Sequence, residues 1–401
     1  MSAVHPRPPE LVLPDWDGPN FCHITATVDH LLGVPNAGAT VTHHLPPTAP
    51  AVVSLFVDSL GWTFLEGRLH HPALARFLRD GILLPITTQF PSSTGGCVPT
   101  HKTGVRSPVH GVPSLRYFEP LVGDTCDPLR FCRRGDAADT LTEAGVSVEA
   151  VFPFETNAAR RAAHTVATVS ILPEKLVASA FNRWADAETA EQLPFTAFPE
   201  IPALVAAALR RPGRLFVDVY MDDVDKCGHA HGPDSAEFTA LVDRVLALIG
   251  EVANHCAERG ARLVLFADHG QVPTPPDDFL HIDRVCPRIG GMTRTNDRGK
   301  TLSPGGGTKA LFVYVHDAEE AADHLRAGLG DRAFVAPTAD LIAAGWFGRR
   351  LHPTFRARIG DVAVLPLGRT HLWVSTDPKD RNRGAHGGLQ RAEMLIPFGV
   401  L

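Results

Sequence analysis

No stretch of about 18 consecutive apolar residues occurs in this 401-residue chain, so it offers no candidate for a membrane-spanning helix. Its opening, MSAVHPRPPELVLPDWDGPN, lacks a basic segment followed by an apolar one, and no secretory signal is expected there. Dense basic blocks are missing too. With 38 basic and 44 acidic side chains the formal net charge is -6, which makes a nucleic-acid polymer an unexpected partner. That mild negative balance still admits an anionic substrate, because bound metal ions can reverse the field inside a pocket. No CxxC pair is present, and the seven cysteines are odd in number and irregular in spacing. Free thiols in a reducing cytoplasm are the expectation, with Cys126 and Cys132 as a pair only in an exported protein. There is no internal repeat.

Apolar residues make up 44% of the chain and charged residues 20%, ordinary values for a globular protein. The length suits one large α/β domain with an inserted lobe, or two domains. Residues 1–50, rich in Pro, Gly and His, read as an N-terminal extension or a loosely ordered strand pair, ahead of a domain over 51–401. Short apolar runs then alternate with helical patterns. AVVSLFV from 51 has the look of a buried parallel strand, and RLFVDVYM from 214, ARLVLFA from 261 and ALFVYV from 310 read as further apolar strands. Helices are predicted over 71–81, 201–211, 317–328 and 338–345, and a long amphipathic one over 234–259, capped by Asp234 or Ser235. Residues 137–151 suggest a helix followed by a strand. Pro and Gly rise between 273 and 309, and a small inserted lobe is expected within 273–380. The fold class is therefore α/β, a mostly parallel central sheet with helices on both faces.

Several of the strands end in acids: Asp58, the cluster Asp222 to Asp225, and Asp268. Ligands of open α/β sheets bind beyond the carboxyl ends of the strands, so these acids are candidates for one shared site. In DVDKCGHAHGPDS (223–235), Asp225 and His229 are four apart, which puts a carboxylate and an imidazole on one helical face. Divalent ions, zinc among them, accept such mixed sets, and His231 is an alternative partner for Asp225. In FADHGQ, a turn at Gly270 would let Asp268 and His269 reach one ion. The loop TTQFPSSTGGCVPTHKTG (87–104) offers hydroxyls and unhindered N–H groups. A helix starting near Thr94 would favour a phosphoryl oxygen at its N-terminus. Threonine is a weak nucleophile unless a metal activates it, a physical reason for such a loop to accompany a metal cluster. In NRGAHGG (382–388), His386 sits between small residues and is open to close approach.

Taken together and in order, these pieces resemble the alkaline phosphatase superfamily, and within it the branch of type I phosphodiesterases and nucleotide pyrophosphatases. The resemblance is carried by VDSLG at 58, FPSST with Thr94, KTGVRSPVHG (102–111), DKCGHAHGPDS (225–235), ADHG (267–270) and GAHG (384–387), and spans 51–388. It implies an alkaline-phosphatase-like fold and two divalent ions, usually zinc. One ion would be held by Asp225, His229 and His386, the other by Asp58, Asp268 and His269 with Thr94 at its edge. It implies hydrolysis of a phosphodiester or pyrophosphate in a small, nucleotide-like molecule through a covalent phospho-threonine. N–H groups from Thr94 to Gly96 would stabilise the equatorial oxygens, and His231 would stand behind the ligands. Phosphomonoesters, or the C–P bond of a phosphonate as in enzymes resembling phosphonoacetate hydrolase, are the alternatives, as is a non-catalytic metal-binding module. Sulfatase chemistry is excluded by the lack of a CxPxR segment. One departure concerns Cys97, which stands where many nucleotide pyrophosphatases carry an Asn that holds a nonbridging oxygen. Basic His101, Lys102 and Arg106 are candidates for contacting a more highly charged phosphate. Trp62, Phe154, Asn157, Arg160 and Lys175 are candidates for pocket lining, with structural roles the simpler expectation.

Overall fold

A computed structural model of the chain describes residues 7–374 and 382–401. Its centre is a seven-stranded sheet in the order Ile82–Thr87, Leu395–Val400, Arg262–Phe266, Ala51–Val57, Arg214–Met221, Val166–Pro173, Glu191–Phe195. Leu395–Val400 runs antiparallel to both its neighbours. The other pairs are parallel. Both faces are covered, so Ala51–Val57 is buried at every residue and reads as one apolar run rather than an alternation.

The register places the site. Val57 pairs with Met221, and Phe56 with Phe266. Continuing those pairings past the strand ends brings Asp58 level with Asp222 on one side and Asp268 on the other. Three acids far apart in sequence thus meet at one edge of the sheet.

The long helix Ala236–Arg259 packs on this sheet through Phe238, Val242, Leu246, Ile249 and Val252, spaced three and four apart. Ser235 is its cap, accepting from the Phe238 N–H, and Gly260 ends it at φ 63°. Truncating Ile249 to Ala would cost about 2–5 kcal/mol by leaving a cavity.

Two expectations change. Within residues 7–50, a helix at Ile24–Leu31 buries Ile24, Val28 and Leu31 in the same core as the central strands, so this segment packs into the domain rather than trailing from it. Residues 1–6 of the expected extension lie outside the described residues. Over 137–151 the structure has two one-turn helices, Thr140–Glu143 and Val148–Val151, and no strand. The left-handed turn at Gly145 separates them (φ 82°). Within 273–380 a four-stranded sheet, ordered Gly305–Gly307, Ala310–Val313, Val362–Pro366, Ala333–Pro337, carries apolar clusters of its own on Leu325 and Trp373 and on Phe312 and Phe347. Residues 375–380 of that stretch lie outside the described residues. No helix among the described residues is long and apolar enough to cross a membrane.

Candidate active site

Each site residue reaches the sheet edge by a local device. Asp58 follows its strand directly, and the next residue, Ser59, turns at φ 67°, unusual for a non-glycine. That turn aims the Ser59 N–H at Asp268 Oδ1 (3.1 Å). Asp268 and His269 share one locus because the chain bends at Gly270. A Cβ there would come within 2.1 Å of the Ala392 carbonyl, and one at Gly61 within 2.7 Å of Gly270 Cα, so both positions need glycine. Asp225 and His229 lie on the helix Asp223–His231, with His229 Nε2 3.3 Å from Asp225 Oδ1. Thr94 is the first residue of the helix Thr94–Thr103, after Ser93 as N-cap. Its side chain is half-buried, and Oγ1 lies 3.1 Å from His269 Nε2.

The three imidazoles share one pattern. His229 Nδ1 is 2.7 Å from Gly384 O, His269 Nδ1 is 3.1 Å from Gly270 O, and His386 Nδ1 is 3.0 Å from Ser92 O. A carbonyl can only accept, so each Nδ1 carries the proton and each Nε2 keeps its lone pair. The Asn382 amide also lies 3.0 Å from His229 Nδ1, but Gly384 O sets the tautomer. His269 and His386 stack at 3.7 Å between centroids, bringing their Nε2 atoms to one place.

Carboxylate oxygens converge on those lone pairs. Asp58 Oδ1 is 3.6 Å and Asp268 Oδ2 3.3 Å from His269 Nε2. Both oxygens are buried without a hydrogen-bond donor. Asp225 Oδ1 is 3.7 Å from His386 Nε2. Candidate ligand atoms of Asp58, Asp268 and His269, and separately of Asp225, His269 and His386, lie within 4.8 Å of one another. His269 thus stands between the groups, and His229 adjoins the second through Asp225. All seven residues expected at the site are brought together.

Among the described residues, the buried acids of this cluster crowd one another and face imidazoles. Burial pushes Asp58 well above the usual carboxylate range, and the charges of Asp268 and Asp225 push it further. Burial raises Asp268 to about 6. Burial lowers His269 to about 4 and His386 to about 3, so both imidazoles are neutral. Burial would also raise Asp225, but its surroundings, His229 first and the Gln271 amide among them, hold it below the usual carboxylate range. Crowded carboxylates, donor-free oxygens and neutral imidazoles aimed at one point fit a pair of divalent ions with mixed N/O ligation.

Sequence reasoning missed the groups that support these side chains. Tyr220 donates its hydroxyl to Asp58 Oδ2 (2.5 Å). Gln271 Nε2 donates to Asp225 Oδ1 (2.7 Å) across Gly228, where a Cβ would meet Gln271 Oε1 at 2.0 Å. Gln271 was in view as the last letter of FADHGQ. Tyr220 had no local signal.

The remaining candidates take other places. Cys97 is fully buried, its sulfur against Gln89, Thr88 and the Asp268 carbonyl, so it faces the interior and not a phosphate. Gly96 N–H is bonded to Ser93 O (3.0 Å), so the oxygen-binding first turn of the helix does not extend to it. His101 and Lys102 are taken up by Asp218 and Asp186. Arg106 lies over the Trp16 ring (5.8 Å). His231 is exposed. Of the proposed lining residues, Asn157 and Arg160 bond to each other and Arg160 also to Asp29, while Lys175 pairs with Asp222 at 2.9 Å. All seven cysteines are free, Cys126 and Cys132 included.

Known proteins give the same outline. Over 70 residues the chain is 31% identical to an uncharacterised pyrophosphatase/phosphodiesterase of Schizosaccharomyces pombe, a match covering 16% of this chain and 14% of that protein. The fold matches murine ectonucleotide pyrophosphatase/phosphodiesterase 5 at a TM-score of 0.63 and 15% identity, over 87% of each chain. An inactive variant of that murine protein in complex with AMP matches equally well. The human counterpart matches at 0.62, with 15% identity and 87% of each chain covered. At that identity the likeness is one of fold, α/β with a mainly parallel sheet. The family model for type I phosphodiesterase / nucleotide pyrophosphatase matches residues 52–389, and the chain belongs to that family.

Proposed function

We propose that the protein is a two-metal hydrolase that cleaves a phosphodiester or pyrophosphate bond of a small phosphorylated molecule, with Thr94 as nucleophile. The observation that carries this is the convergence of three Nε2 lone pairs and the donor-free oxygens of Asp58 and Asp268 beside the Thr94 hydroxyl. Asp225, His229 and His386 would hold one ion, and Asp58, Asp268 and His269 the other with Thr94. Zinc suits this mixed N/O set.

Bound ions would supply Lewis acidity, lowering the cost of deprotonating Thr94 and of charge on the leaving oxygen. Thr94 Oγ1 forms the new bond to phosphorus while the bond to the leaving group breaks, and water then releases the phosphoryl group from Thr94. The first-turn N–H groups at Thr94 and Gly95 face developing charge at a helix N-terminus. Tyr220 holds Asp58 by Oδ2, which leaves Oδ1 aimed inward, and Gln271 donates to Asp225 Oδ1 and so fixes the carboxylate that faces His229 and His386. The free thiols suit a cytoplasmic setting, which cell fractionation would check. In this reading the catalytic domain runs over 51–401 with residues 7–50 packed into its core, and the 305–366 sheet is its inserted lobe.

The test is turnover of the zinc-loaded protein on bis-p-nitrophenyl phosphate against p-nitrophenyl phosphate. A preference for the diester is expected. A preference for the monoester would overturn the diesterase reading and make the protein a phosphatase.

A further inference from the structure

Beyond the C-terminal end of the helix Thr94–Thr103 lies a cavity of about 480 Å³ whose walls include Trp16, Asp17, Arg106, Arg349 and Arg350. The helix has 10 residues, which at 1.5 Å each sets its far end about 15 Å from Thr94. The cavity shares no lining residue with the cleft of Ser93, His229 and His386. It is a separate space.

In a chain of net charge -6, three guanidinium groups here stand against one carboxylate, that of Asp17. Among the described residues none of the three guanidinium groups has a hydrogen-bond or ion-pair partner, and Arg106 lies instead over the Trp16 ring at 5.8 Å. Asp15, close by in sequence, turns its carboxylate to the Gly18 N–H (2.9 Å). The charge of Arg106 is felt nearby: burial lowers His23, and Arg106 lowers it further.

The walls are fixed from behind. Trp16 Nε1 donates to the Trp346 carbonyl (3.2 Å). Gly348, at φ 76°, lies against the Trp16 ring, where a Cβ would stand 3.5 Å from it. Its N–H closes the turn on the Gly345 carbonyl (2.9 Å). Between these glycines Trp346 stacks on Phe334 at 5.4 Å and Phe347 on Phe90 at 5.3 Å, both buried. The base of the loop is therefore held in the core, while Arg349 and Arg350, which follow it, are exposed. Planar guanidinium groups match phosphate oxygens in pairs, so such a wall favours phosphate over a diffuse negative charge.

We propose that this cavity binds a phosphate-bearing small molecule through Arg106, Arg349 and Arg350, at a site distinct from the metal cleft. Small-molecule sites span roughly 300–1,000 Å³, so the space suits a phosphorylated metabolite rather than a bare ion. Among the described residues no hydroxyl, thiol or imidazole lines it, so the site binds and does not turn over. None of this needs Thr94 or a metal.

The chain has five tryptophans, which makes fluorine NMR of the zinc-loaded Thr94→Ala protein labelled with fluorotryptophan a local reporter. The Trp16 signal is identified by its loss in Trp16→Phe. Fructose bisphosphate is the probe, with fructose and with sodium chloride of equal ionic strength as controls. The Trp16 signal should shift and saturate, with half-saturation below about 1 mM, and neither control should reproduce it. Arg349→Ala with Arg350→Ala should weaken that binding by about tenfold or more, with the unfolding midpoint of the protein unchanged. No saturable shift, the same shift with salt alone, or a shift that survives the double substitution overturns the proposal.

Discussion

Two buried charge clusters lie within a few residues of each other in this fold, and they are built on opposite principles. In the first, Asp218 sits mid-strand with Ser54 and His101 on one oxygen and Lys102 on the other (2.8, 2.8 and 2.9 Å), while Lys102 also reaches Asp186 at 2.9 Å. Burial alone would raise Asp218, but His101 and Lys102 hold it well below the usual carboxylate range. Lys102 is held up in turn, as the two carboxylates outweigh its burial. This cluster is partnered from within, with a donor from the chain on each oxygen of Asp218. In the second, Asp58 and Asp268 face the neutral imidazole of His269, and Asp58 is driven up by burial and then by the charges of Asp268 and Asp225. A cluster that balances its charge holds the chain together. One that leaves oxygens without donors suits the metal ions proposed above.

That contrast can be broken experimentally. The largest effect is expected at the nucleophile: Thr94→Ala should lower kcat on bis-p-nitrophenyl phosphate by about a thousandfold or more with little loss of stability. Stopped assays of the two proteins at equal zinc occupancy check this, and equal rates would remove Thr94 from the mechanism. Next is Lys102→Met, which strands two buried carboxylates and should cost about 3–5 kcal/mol in urea unfolding. Zinc affinity should be unchanged. A stable variant with a raised KM would instead place Lys102 on the substrate.

A smaller effect separates the clusters by chelation. Saturating zinc should add about 2–3 kcal/mol to stability, lost with a chelator. Asp58→Asn should bind fewer ions, and its metal-free form should unfold no more easily than the metal-free parent, since a repelled charge has gone. A marked destabilisation of the metal-free variant would show that Asp58 is structural. The smallest effect is in acid. Because the folded pKa of Asp218 is depressed, its contribution is fully present above the ordinary value of 3.8 and fades as pH falls below it. The stability gap between the parent and Asp218→Asn should therefore narrow from neutral pH toward pH 3. A gap that widened in acid would reverse the sign.

The same contrast explains what the sequence disclosed. Asp225 and His229 were legible because four residues make one helical turn, and Asp268 with His269 because a strand and a glycine bracket them. Asp58 was legible as an acid closing an apolar run. His386 carried meaning only through family resemblance, as its ring meets His269 by stacking across 117 positions. Tyr220 and Gln271 act through contacts set by the packed sheet, which no local pattern encodes. His101, Lys102 and Arg106 misled for the same reason: closeness to Thr94 in sequence is not closeness in space, since the helix Thr94–Thr103 turns His101 and Lys102 toward Asp218. The antiparallel strand Leu395–Val400 and the helix Ile24–Leu31 were missed because tertiary burial, not local periodicity, defines them.

The most direct test of the central claim is an acid-quenched reaction of the zinc-loaded protein with a slow diester, followed by mass spectrometry of the peptide containing residues 91–102. The account expects a phosphoryl adduct on Thr94 that appears within one turnover and is absent after chelation. Turnover with no adduct there, or an adduct on another residue, would contradict it.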